Sequence, residues 1–161
     1  MGDDRESILR RFRVAASAYV EVVDSAPNIE IRALLDAISR SLAELYGAAL
    51  YLPEEAPDTT EIAERPLAHE QWATLFRSLK EKIGSLDTYW VVFDSTLEET
   101  PVRASLAGDI SEIYRDLKRD LDLEKLQISR ADLLWELQAS FRNHWGRHAL
   151  GALKAISDLH L

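Results

Sequence analysis

The sequence predicts an all-α protein, a helical bundle of about five to six helices, mostly antiparallel. Three observations carry this. Its long apolar patterns recur at three- and four-residue steps, the helical period. Its prolines fall between those patterns, where they end helices rather than kink them. Its 161 residues, 47% hydrophobic and 29% charged, suit one domain with a closed core, so 1–161 is read as a single unit.

The first pattern runs from about Ser7 to Ser25, with Ile8, Phe12, Ala15, Ala16, Tyr19, Val22 and Val23 on one side. Pro27 ends it, and Asn28 suits the N-cap of a second helix from Ile29 to Leu52. That helix carries Ile31, Leu34, Leu35, Ile38, Leu42, Leu45, Ala49 and Leu52 at nearly heptad spacing, which predicts a close neighbour lying almost along it. Pro53 stops it.

Residues 53–65 read as an acidic loop. Pro53, Pro57 and Pro66 bracket Glu54, Glu55, Asp58, Glu61 and Glu64, and one sign of charge predicts a solvated, mobile connection. A third helix follows from about Leu67 to Ile83, with Trp72, Leu75, Phe76, Leu79 and Ile83 inward and Gly84 as its C-cap. The stretch 86–93 is ambiguous. Its β-branched and aromatic residues suit a strand, whereas Leu86, Tyr89, Trp90 and Phe93 have helical spacing. With no partner strand visible, a short helix is the reading. A second loop covers about 94–104.

Ser105 then opens a helix reaching about Lys125, with Leu106, Ile110, Ile113, Leu117 and Leu121 inside. Ser129-Arg130-Ala131-Asp132 is a capping box for the last helix, Asp standing in for Glu. Its stripe runs Leu134, Leu137, Phe141, His144, His148, Ala152, Ala155 and Leu159, and Gly146 and Gly151 predict a kink or a close helix contact within it. Leu34, Ile38, Leu42, Leu45, Ile113, Leu117, Leu137 and Phe141 are expected to be buried together.

With 28 acids against 19 bases the net charge is −9, which repels a phosphate backbone, so no nucleic-acid partner is expected despite Arg10, Arg11 and Arg13. No apolar run is long enough to span a membrane, and the charged start does not read as a signal peptide. The absence of cysteine excludes disulfides, thiolate metal sites and a cysteine nucleophile, and fits a reducing cytoplasm.

The candidate functional centre is His144 and His148. Residues four apart stack one turn above the other, so both imidazoles can face one metal ion or ligand, and a polar ring on an inward stripe needs a partner. Asp109 and Asp116, with Glu112 between them, sit at the edge of the apolar face of the preceding helix and are the carboxylates to orient or complete such a site. Tyr114, Trp145 and Trp90 are candidates to wall a pocket there. A di-iron bundle is argued against, because no histidine has an acid three residues before it. Glu21 and Asp24 have the spacing of a magnesium pair, but Glu21 points away from the apolar face.

Several segments together resemble a family of small bacterial all-helical proteins catalogued only as a domain of unknown function. They are the Phe12-Arg13-Val14-Ala15 helix, His69-Glu70-Gln71-Trp72, Tyr89 to Asp94, Ser105 to Ile110 with Ile113 to Lys118, and Phe141 to His148. The resemblance implies a cytosolic helical bundle and no activity. The chain is also similar, more loosely, to metal-binding four-helix bundles of the damage-inducible and thiol-transferase type, through the His144–His148 pair. Their third histidine lies on the second helix, where this chain has none.

The function expected is therefore a non-catalytic interaction or regulatory module, holding a protein partner or a second copy of itself. The alternative is a bundle that binds a divalent metal or small molecule at His144 and His148, with or without turnover. No cofactor is otherwise expected.

Overall fold

A computed structural model describes residues 2–59 and 67–161. Helix α1 (Gly2–Asp24) folds back through a single 3-10 turn (Ala26–Asn28) onto α2 (Ile31–Ala49). Asn28 is consumed by that turn, so the cap of α2 is Glu30, not Asn28. Its carboxylate accepts from the backbone N–H groups of Arg32 and Ala33 at 2.9 and 3.3 Å. After α3 (His69–Ile83) come α4 (Leu106–Leu123), α5 (Arg130–Ser140) and α6 (Gly146–Asp158).

The packing is a closed ring. α1 lies against α2 and α4, and α6 lies against the same two helices, while α3 packs outside on α4. Leu34, Ile38, Leu42, Leu45, Ile113, Leu117, Leu137 and Phe141 are all buried in the core this ring encloses, as the periodicity requires.

The stretch 86–93 is a correction. Thr88–Val91 is a strand, β1, paired antiparallel with β2 (Val102–Ser105) in the register Thr88↔Ser105 to Val91↔Val102. The partner, Val-Arg-Ala-Ser, is too short and mixed to signal itself, and it runs straight into α4. Tyr89 and Val91 lean inward while Trp90 points out, the alternation of a strand. Asp87 fastens the hairpin. This buried carboxylate accepts from Ser105 Oγ and the Ala107 N–H at 2.7 Å, and the Asp87 carbonyl accepts from the Leu106 N–H. Ser105 Oγ in turn caps α4 through the Gly108 N–H.

The acidic connection is also held more firmly than its charge predicts. Glu55 pairs with Arg5 at 2.6 Å and Glu54 with Arg142 at 2.7 Å. The Thr59 N–H donates to Asp132, and Gln138 donates to the Leu52 carbonyl. Residues 52–59 are thus strapped to the body. The rest of the expected loop, 60–65, lies outside the described residues, as does Pro66.

Candidate functional site

The site begins with an irregular turn. Between α5 and α6, Phe141–Trp145 forms a π-helical turn in which the Gly146 N–H reaches back to the Phe141 carbonyl, five residues away. Gly146 permits it, since a Cβ there would stand 2.6 Å from that carbonyl oxygen. The wide turn shifts the helical register, and the buried stripe becomes Leu134, Leu137, Phe141, Trp145, Ala149, Ala152 and Ile156.

Two expectations change as a result. Trp145 does not wall a pocket; it is fully buried against Phe12 and Phe141. His144 and His148 are not on the inward stripe but on its flank, with side chains 43% and 30% exposed.

On that flank they meet α4. His148 Nδ1 lies 2.8 Å from Asp109 Oδ1, and His144 Nδ1 lies 2.5 Å from Asp116 Oδ2. A carboxylate only accepts, so Nδ1 carries the proton in both rings and each neutral ring presents a bare Nε2 lone pair. The imidazoles sit edge to face, 4.9 Å between centroids. The hydrogen bond that His148 donates to Asp109 raises the His148 pKa above the usual histidine value, against burial, with Asp109, Glu112 and Asp116 adding their charge.

Asp109 is shared. Its second oxygen accepts from the Tyr89 hydroxyl, so one buried carboxylate joins the hairpin to α6. Burial and then this bond push the Tyr89 pKa far up, which keeps the phenol a donor. Gly151 makes the room, because a Cβ there would lie 2.5 Å from the Tyr89 oxygen. Asp87 escapes a helical reading of the region, and alternation over Tyr89-Trp90-Val91 was the signal that sets Tyr89 on the inward side of a strand.

Further along α4, Asp120 is buried. Burial drives its pKa well up, while Arg119 and Ser140 act to lower it. Arg119 pairs with Asp120 and with Glu136. A polar seam thus runs along α4 against α5, the π-helical turn and α6, of which the two histidines are the solvent-facing part.

The remaining candidates separate. Tyr114 lies elsewhere, donating to Asp24 at 2.7 Å at the end of α1, so it does not line the histidine face. Trp90 and Phe93 are 67% and 71% exposed on the hairpin and its loop. That loop lies by α6: Asp94 is held below the usual carboxylate range first by hydrogen bonds from Thr96 and further by the charge of Arg147. Among the described residues no three or more His, Cys, Asp or Glu side chains are grouped to hold a metal. Nor is any helix among them long and apolar enough to cross a membrane.

The model of a family described as a domain of unknown function (DUF5063) matches residues 3–161. None of the curated proteins matches the chain. The fold is similar to the crystal structure of protein BF1032 from Bacteroides fragilis, with a TM-score of 0.81 and 21% identity over 96% of this chain and 92% of that one.

Proposed function

We propose that this chain, which belongs to the DUF5063 family, is a non-catalytic binding module of the bacterial cytoplasm that holds a protein partner. Its binding face is formed by His144 on the π-helical turn, His148 on α6 and the neighbouring hairpin. One observation carries the reading: Asp109 bonds both His148 and Tyr89, so the partly exposed imidazole and the exposed aromatic hairpin are tied to one carboxylate. Ordered aromatic side chains beside polar groups are what protein interfaces use as anchors, because little entropy is lost when they bind.

A protein partner is favoured over nucleic acid. The net charge is −9, and of the early basic cluster Arg13 is already engaged by Glu124 and Glu6, while Arg11 lies over the Tyr51 ring. The absence of cysteine supports a reducing compartment.

The test immobilises the protein and compares what it retains from lysate of its own cells with two double variants, Trp90→Ala/Phe93→Ala and His144→Ala/His148→Ala. A partner held by wild type and lost by both variants is the expected result. Equal recovery on all three contradicts the reading. Sedimentation of the purified protein shows in parallel whether the retained partner is a second copy.

A further inference from the structure

We propose that His144 and His148 form a binding site for one late first-row divalent metal ion, of the zinc or nickel type, ligated through their two Nε2 atoms. The site shares its face with the partner surface proposed above and stands without it.

Chemistry at both rings points this way. An imidazole that ligates a metal through one nitrogen almost always donates its other N–H to a carboxylate or carbonyl, which fixes the tautomer and makes the free nitrogen more basic. Both rings here do so, each with its own carboxylate from α4. A pair that served only to knit α4 to α6 would need one such bond, and its outer nitrogens would gain nothing from being left accessible. Each ring remains partly open to solvent, and the two centroids are 4.9 Å apart, a separation that suits two imidazoles sharing one ion.

Charge favours a cation. Asp109, Glu112 and Asp116 stand along α4 beside the pair, and Arg115, paired with Glu112, offsets part of that charge. Arg142 and Arg147 are drawn toward Glu54 and Asp94. The donor type selects the metal: imidazole nitrogen suits zinc, nickel and copper, whereas magnesium and calcium take oxygen ligands. Because no third protein donor joins the pair among the described residues, water completes the coordination and the ion exchanges readily. A proton competes for the same nitrogens, so binding weakens as the pH falls.

The experiment is calorimetric titration of tag-free protein with Zn2+, Ni2+ and, as a control, Mg2+ at pH 8, repeated at pH 6. One zinc or nickel per chain is expected, much weaker at pH 6, with no magnesium bound. His144→Ala and His148→Ala each weaken it at least about ten-fold, and Asp109→Asn weakens it about ten- to a hundred-fold through the imidazole it no longer orients. His69→Ala/His160→Ala leaves it unchanged. Since the variants perturb the seam, electron paramagnetic resonance of the wild-type protein with one equivalent of Cu2+ gives a second readout, with coupling to two imidazole nitrogens expected. Absence of one-to-one binding to wild type, the same affinity in the His144→Ala/His148→Ala double variant, or a copper signal without two nitrogens overturns the site. If metal binding fails but partner capture still depends on the histidines, only the metal inference falls. If metal binds and capture ignores these residues, only the partner reading does.

Discussion

Gly151 and Tyr89 are complementary: the tyrosine hydroxyl occupies the volume where a Cβ on Gly151 would lie, 2.5 Å away. Glycine within α6 therefore sacrifices helix propensity to let the hairpin reach Asp109. Gly151→Ala gains about 0.5–1 kcal/mol of helix propensity but forces Tyr89 off its carboxylate. The net expected in urea denaturation is a loss of about 1 kcal/mol, since overpacking costs about 1–3 kcal/mol. In the Tyr89→Phe background the obstructing oxygen is gone, and the same Gly151→Ala change turns neutral or stabilising. A loss of equal size in both backgrounds would show that the glycine serves something other than Tyr89.

Gly146 is tighter still, because its neighbour is backbone. Gly146→Ala meets the Phe141 carbonyl oxygen at 2.6 Å and cannot keep the π-helical turn. A loss of about 1–3 kcal/mol is expected, together with displacement of the His144 ring resonances as its register on α4 changes. Unchanged stability and an unchanged His144 spectrum would mean that the turn tolerates a side chain.

Asp87 is buried where the hairpin meets α4 and accepts from Ser105 Oγ and the Ala107 N–H. Asp87→Ala strands both donors and uncouples β1 from the start of α4, so about 2 kcal/mol or more is expected in loss of stability. Hydrogen exchange at Tyr89–Val91 should rise with it. A loss confined to α4 amides would contradict the coupling.

The His148–Asp109 pair has a defined pH signature. The folded pKa of His148 is raised, so its contribution to stability is fully present below the unfolded histidine pKa. That contribution is lost as pH rises from there through the folded value. Titration of the ring by nuclear magnetic resonance should place His148 above an ordinary histidine. In Asp109→Asn, where burial acts without the carboxylate, it should fall to or below the ordinary value. A His148 pKa indifferent to Asp109→Asn would contradict the pairing.

Much of this was legible in the sequence, and the limits have physical causes. The core stripe through Leu34, Ile38, Leu42 and Leu45 was plain because a helix repeats its face regularly, and each of those residues is buried. Residue type and the edge of the α4 stripe named Asp109 and Asp116 as the carboxylates to orient the two imidazoles, but not which ring each takes. The register of the last helix did not. A π-helical turn adds one residue per turn and leaves no mark beyond Gly146, so Trp145 moved into the core and both histidines moved to its edge. The hairpin was hidden for another reason: β2 spends its four residues partly as the cap of α4, and its pairing with β1 is a tertiary fact. Tyr114, assigned to the site by its spacing, bonds Asp24 on the other side of α4.

Carboxylates hold both imidazoles through Nδ1, with Nε2 left for a ligand. Long-range proton–nitrogen correlation spectra of the histidine rings read this directly, at a pH above the His148 titration. The expected result is that His144 and His148 both carry the proton on Nδ1 and show a bare, pyridine-like Nε2, and that Asp116→Asn and Asp109→Asn each abolish the preference in their own ring. Rings protonated on Nε2, the form that predominates in free histidine, would contradict it.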